Sequence, residues 1–337
     1  MIRRTLTIGV DDLSSARGAL VCRDLPISTA AGPASIRRGT LVDAALCLTL
    51  AKQAGAQIAV VLPEPGELAQ SEASHQFAHA VVGPGLTVDP PHQGQCVIHA
   101  TTRGLVRVCP TSVVRINRRG AILFATALDG RVVAEGDTVA IVKAADLWTA
   151  SDSLTRSLRA ARTTPVLRVA PFAARKAAFL AGERIRPRNF TAAAENLRGL
   201  LAGFSVELAL TQRVADDPSA IADAYRRCLD EGVEIILVGG SIALDPGDPF
   251  LVALERIEAE LACRGAPIDP GTMFWVAHAG PAVVFGLASC ELYGRQSILD
   301  LLLPYAVAKE PIDRALLAEL GYGGLLDQTL RARQRSE

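Results

Sequence analysis

Residues 235–250 read IILVGGSIALDPGDPF, and the interpretation of that run decides the fold. Its first half is apolar almost without interruption back to Val233. That is the pattern of a strand covered on both faces, and so of a parallel sheet. The run ends in Gly239 and Gly240 and gives way to a short loop carrying Asp245 and Asp248 between prolines. Such a loop is either a polar turn or a binding loop at the carboxyl edge of a sheet.

Outward from it the same texture repeats. KAAFLAG (176–182) reads as a strand and NFTAAAENLRGLLAGF (189–204) as a helix with Asn189 or Thr191 as its cap. SVELAL (205–210) reads as a strand, and DPSAIADAYRRCLDEG (217–232) as a helix with Asp217 at the N-cap and Pro218 in the first turn. PFLVALERIEAELACRG (249–265) is expected to be the next helix and PAVVFG (281–286) the next strand. SILDLLLPYAVAKE (297–310) closes the unit as a helix bent or ended near Pro304. Strands alternating with helices of this length predict an α/β domain over 165–330 built on a doubly wound, mostly parallel sheet.

Two other regions precede it. Residues 101–164 are expected to form a β-rich subdomain and a helical linker: 103–145 is cut into short β-branched segments by glycines, with Asp129-Gly130 and Gly136-Asp137 as turn signals, and 146–164 is polar. Residues 1–100 are expected to form an N-terminal α/β region. There 41–55 reads as a helix stopped by Gly55, 56–62 as a strand and 71–83 as a helix stopped by Gly83.

Composition bounds the function. The chain has 337 residues with 35 basic and 35 acidic side chains, a formal net charge of zero that speaks against a general nucleic-acid or membrane-surface role. The start, MIRRTLTIGVDDLSS, reaches aspartates before any apolar run, which predicts no cleaved leader. No apolar run approaches the ~20 residues of a membrane span. Seven cysteines without a CxxC pair predict reduced thiols in a cytoplasmic protein. The GxGxxG, GxxxxGK[ST] and GxSxG signatures of dinucleotide enzymes, P-loop nucleotidases and serine hydrolases are absent.

If the sheet is parallel, its loops share one rim, which places the site there. AGERIRPRN (181–189), TQRVADDPS (211–219), GGSIALDPGD (239–248) and GLASCELYGR (286–295) would bring Glu183, Asp216, Asp217, Asp245 and Asp248 beside Arg184, Arg186 and Arg188. Carboxylates and arginines together suit a phosphate or oxyanion with a divalent cation such as Mg²⁺, although each residue alone is more simply a solvated turn or cap.

The order KAAFLAGERI, VADDPSAIADAYRRCLDEGVEIILVGGSIALDPGD, GAPIDPGTMFWVAHAGPAVVFGLASC resembles the molybdopterin-binding family of molybdenum cofactor biosynthesis, which includes the molybdenum insertases and related adenylyltransferases. The resemblance covers 165–325 and extends, through the β segment VVRINRRGAILFATALDGRVVAEGDTVAIVKA, to about residue 100. It implies that Gly239, Gly240, Ser241, Asp245 and Asp248 form the loop that meets the pterin phosphate and Mg²⁺. Asp245 and Asp248 would be metal ligands, with Asp248 and Asp216 at the catalytic edge. It also matches Gly182, Pro270, Gly271 and Gly286 to the family's motif glycines and proline, and places Glu183 in the first motif. Arg184, Arg186 and Arg188 enter from charge and loop position. Two motifs depart from the family. Ala181-Gly182-Glu183-Arg184 stands in place of Thr-Gly-x-Glu, and Gly286-Leu287-Ala288-Ser289 in place of Gly-Leu-Pro-Gly.

The resemblance implies molybdopterin, or its adenylylated form, and molybdate as substrates or ligands. It further implies an apo-molybdoenzyme as recipient and a homodimer. The first reading is insertion of molybdate into adenylylated molybdopterin; the second is non-catalytic binding and delivery of the pterin, which the two altered motifs support; the third is a metabolic α/β enzyme unrelated to molybdenum. Three weaker signals remain. His75 and His79 have the i, i+4 spacing of two metal ligands without a third; His278 reads as a packed or surface histidine; and Cys290 precedes a helical stretch whose dipole would lower a thiol pKa.

Overall fold

The computed structural model describes residues 5–9, 15–29, 32–53, 57–161 and 165–326. The chain divides into two compact units, Met1–Ala170 and Pro171–Glu337. Among the described residues no helix is long and apolar enough to cross a membrane. The expected helix stop at Gly55 and the terminal stretch 327–337 lie outside the described residues.

The first unit is a set of small sheets, largely antiparallel, with short helices. Its largest sheet runs Ile122–Thr126, Thr138–Ala144, Gln95–Ala100, Leu86–Val88, with every neighbour antiparallel. The helix Gln70–Val81 lays Ala73, Phe77, Ala78 and Val81 against the buried face of that sheet, where Phe77 meets Phe124 edge to face at 5.8 Å. The helix begun by Asp43 runs only Ala44–Leu50, shorter than the expected 41–55. The strand Leu167–Pro171 joins Gly104–Val108 in a second small sheet.

One expectation for this unit is corrected. PTSVVRINRRG, read as part of a β subdomain, is the helix Pro110–Arg119. Pro110 sits in the first turn, where its missing N–H costs nothing, and Gly120 closes the helix at φ +75°. Ser112 and Ile116, four residues apart, face inward. The β-branched valines that suggested strand are overruled by that packing.

The second unit holds a six-stranded sheet in the order Glu207–Arg213, Lys176–Ala181, Ile235–Gly239, Ala282–Leu287, Trp275–Ala279, Glu260–Arg264. The first four run parallel. Trp275–Ala279 is antiparallel to its neighbours on both sides, so the sheet is mixed at one edge. Every residue of Ile235–Gly239 is buried, as the unbroken apolar run requires. Burying side chains such as Ile235, Ile236 and Leu237 contributes about 1.5–3 kcal/mol each before conformational entropy is set against it.

Helices Pro187–Ala202 and Pro218–Asp230 connect the parallel strands, and the Asp217 side chain caps the second by accepting from Ala220 N at 2.9 Å. The first starts earlier than 189, at Pro187, with Arg186 in the N-cap position. Ile298–Val307 begins with a Ser297–Asp300 capping box and carries Pro304 within it, so the helix does not end there.

The second correction is at 249–265. The helix covers only Pro249–Glu255, and Glu260–Arg264 is an edge strand. Glu258 takes φ +54°, which stops the helix, and the following residues find backbone partners on Trp275–Ala279. ERIEAELACR has good helix formers, so the reassignment comes from sheet pairing and not from propensity.

Candidate functional site

From Lys176–Ala181 the chain first adds Glu207–Arg213 on one side and then crosses to Ile235–Gly239 on the other. The crevice between the carboxyl ends of Lys176–Ala181 and Ile235–Gly239 is therefore the switch point, where open parallel sheets take ligands. The two ends are joined there, Gly182 N donating to Gly239 O at 2.9 Å.

Asp248 lies under this crevice, with its side chain fully buried. Its Oδ1 accepts from Ser241 Oγ at 2.8 Å and from Phe250 N at 3.1 Å. Its Oδ2 accepts from Ile242 N at 2.7 Å and from Arg184 Nη1 at 3.2 Å. Arg184 also donates to Gly240 O at 3.1 Å, so one guanidinium ties the first loop to the third. Ser241 Oγ in turn accepts from Trp275 Nε1 at 2.9 Å. A carboxylate buried with four donors, one of them charged, satisfies the rule that interior charges are paired and hydrogen-bonded.

Two glycines are explained by close approach. A Cβ at Gly182 would lie 2.5 Å from Asp216 Oδ1 and 2.9 Å from the Phe250 ring. The Asp216 carboxylate folds over this glycine and accepts from Glu183 N at 2.9 Å. Gly286, paired with Trp275 across the sheet, has the indole where a Cβ would stand. The missing side chain lets Trp275 reach Ser241.

The arginines differ. Arg184 is engaged, whereas Arg186 and Arg188 are exposed at the start of the sixteen-residue helix Pro187–Ala202. An exposed guanidinium pair at a helix N-terminus attracts anions. Glu183 is exposed beside them. Asp245 is half-buried and accepts from Gly247 N at 2.9 Å within its own loop.

These carboxylates do not fit a resident Mg²⁺. Asp248 has both oxygens committed to protein donors, and Asp216 and Asp245 each turn an oxygen onto a backbone N–H. Among the described residues no three His, Cys, Asp or Glu side chains are grouped to hold a metal ion. His75 and His79 face each other through their Nε2 atoms at 3.1 Å without a third ligand.

Pro270 and Gly271 lie at the end of the next strand along, Ala282–Leu287, whose Leu287 pairs with Gly239. They line a cleft of about 260 Å³ with Ser289, Cys290 and Arg295, and Pro270 O accepts from Ile298 N. Cys290 is not an activated thiol. Burial, and then the neighbouring Glu291 carboxylate, push it up to about 11, and the helix it enters is only Ser289–Leu292. His278 Nε2 lies 2.9 Å from Ile312 O in a packed position. None of the seven cysteines is in a disulfide.

No protein-family model matches the chain, and no curated protein does. Solved structures do. Several of them are molybdenum cofactor biosynthesis proteins. A MogA structure is 18% identical over 40% of this chain and 99% of its own, at a TM-score of 0.31. The MoeA protein of Pyrococcus horikoshii OT3 is 12% identical over 91% of this chain and 75% of its own, at 0.29. CinA of Thermoplasma acidophilum, described as of unknown function, is 15% identical over 40% of this chain and 98% of its own, at 0.34. Similarity at this level leaves function to the residues themselves.

Sequence reasoning missed Trp275 and the backbone donors Ile242 and Phe250. The signal for Phe250 was available: Asp248-Pro249 is the same N-cap and first-turn pair as Asp217-Pro218. Trp275 gave no local signal, because it meets Ser241 only once its strand is paired beside Ala282–Leu287 in the sheet.

Proposed function

We propose that this chain is a molybdopterin-binding protein of molybdenum cofactor biosynthesis, which holds the pterin phosphate at the switch-point crevice of its second unit. The observation that carries the reading is the way the two strand ends and their loops are joined at the switch point. Gly182 and Gly240 stand on adjoining strand ends, braced through Arg184 and Asp248, with Arg186 and Arg188 exposed at a helix N-terminus. The order of motifs along the sequence supports the pterin as the ligand. Arg186 and Arg188 attract the phosphate, and the glycine backbone lets it approach.

Binding and delivery are favoured over molybdate insertion. Asp248, the carboxylate that the family resemblance puts at the catalytic edge, is spent on capping a helix and pairing Arg184. The protein then works as a carrier, cytoplasmic and dimeric, that presents molybdopterin to an apo-molybdoenzyme.

Calorimetric titration with molybdopterin and with its adenylylated form tests this, using the intact protein and the Arg186→Ala/Arg188→Ala variant. AMP is followed in the same tubes after molybdate is added. Binding that weakens in the variant without AMP release is the expected result. Release of AMP would make the protein an insertase, and failure to bind either ligand would sink the molybdopterin reading.

A further inference from the structure

The first unit carries a second charged feature, independent of the crevice. Helices Pro110–Arg119 and Ser151–Ala160 pack together, with Ile116 and Leu154 buried beneath them and Ser112 Oγ donating to Ala161 O at the end of the second helix. Between them lies a cleft of about 660 Å³ lined by Arg115, Arg118, Arg119, Arg156, Arg159 and Ala160. All five arginines are exposed, and among the described residues none meets a carboxylate. Among the described residues, the one side-chain hydrogen bond these arginines make runs from Arg156 Nη2 to Ser153 Oγ at 2.8 Å.

Helix-end electrostatics account for only part of this. Arg118, Arg119 and Arg159 lie in last turns, where cations complement the macrodipole. Two helix C-termini supply roughly one negative charge in all, against five guanidiniums. Within each helix the spacing is also self-repelling: Arg115 faces Arg118 and Arg119, and Arg156 faces Arg159, at i, i+3 and i, i+4. In a chain whose formal net charge is zero, this much positive charge is gathered in one concave place.

We propose that this cleft binds a small anion carrying two or more phosphate groups, such as a polyphosphate or a nucleoside di- or triphosphate. The uncompensated charge matches a ligand of three to four negative charges, the planar guanidinium fork suits phosphate oxygens, and the volume lies within the range of small-ligand sites, about 300–1,000 Å³.

The test is calorimetric titration of the full chain with inorganic tripolyphosphate, ATP, AMP and heparin. It compares the intact protein with Arg118→Ala/Arg159→Ala and with Arg188→Ala, which alters only the crevice of the second unit. Tripolyphosphate should bind at low salt and weaken about tenfold or more in the double variant. It should be unchanged in Arg188→Ala and weaken as salt is raised from about 50 to about 300 mM. The double variant should unfold at the same or a higher temperature, since a repulsion has been removed. Equal affinity for ATP and tripolyphosphate would identify the phosphates alone as the recognised group, and tighter ATP a nucleotide. Binding retained in the double variant, lost only in Arg188→Ala, or seen with heparin alone would overturn the proposal.

Discussion

The Nη1 of Arg184 lies 3.2 Å from Oδ2 of Asp248, a guanidinium 42% exposed closing over a carboxylate that is fully buried. The pair joins the first loop of the sheet to the third. Removing either partner is unequal in effect, because one is wet and the other is not.

Asp248→Ala should therefore destabilise the second unit by about 3–5 kcal/mol, since Ser241, Ile242 N, Phe250 N and Arg184 lose their acceptor together. Asp248→Asn, which keeps an acceptor oxygen, should cost less. Urea unfolding followed by circular dichroism orders the two. A loss of ligand binding in Asp248→Ala would report unfolding as much as recognition, so the binding tests use arginines.

Trp275 can be addressed through its partner glycine. Gly286→Ala puts a methyl group into the indole and should cost about 1–3 kcal/mol by overpacking, while displacing Nε1 from Ser241. Near-ultraviolet circular dichroism of the tryptophan band should change at temperatures where the far-ultraviolet signal is intact. An unchanged band would show that the sheet accommodates the methyl group without moving the ring.

Cys290 should react slowly with iodoacetamide at pH 8. Its thiol is held at about 11 by burial and then by Glu291, so the thiolate fraction there is about a thousandth. The rate should climb until the pH nears that value, and Glu291→Gln should lower the midpoint. Peptide mass spectrometry resolves this site from the other cysteines.

Glu234 gives an acid dependence. Burial alone would raise its pKa, but the hydrogen bond from Lys309 and those from Arg175 N and Lys176 N outweigh it and hold the carboxyl below its ordinary value. A lowered folded pKa means stability that is present above the unfolded value, about 4.3, and lost as pH falls through the folded one. The stability gap between wild type and Glu234→Gln should be full at pH 6 and shrink toward pH 3. A gap that stays constant across that range would remove the ionised carboxylate as its source.

The sequence by itself determined the parallel core and the starts of its connecting helices. The unbroken apolar run at Ile235–Gly239 is a local statement about two covered faces, and Asp217-Pro218 is a local statement about a helix start. Each is written in neighbouring residues, so each is readable without the fold. Tertiary structure decided the rest. Glu260–Arg264, the second half of an expected helix, becomes an edge strand because Trp275–Ala279 offers it backbone partners, and that pairing outweighs helix propensity. PTSVVRINRR becomes a helix because its Ile116 face has a core to cover. Asp248 changes from an open loop carboxylate to a buried, four-donor anchor because Arg184, Ser241 and Phe250 converge on it, and the desolvation of a charge depends on what surrounds it in space and not on its neighbours in the chain.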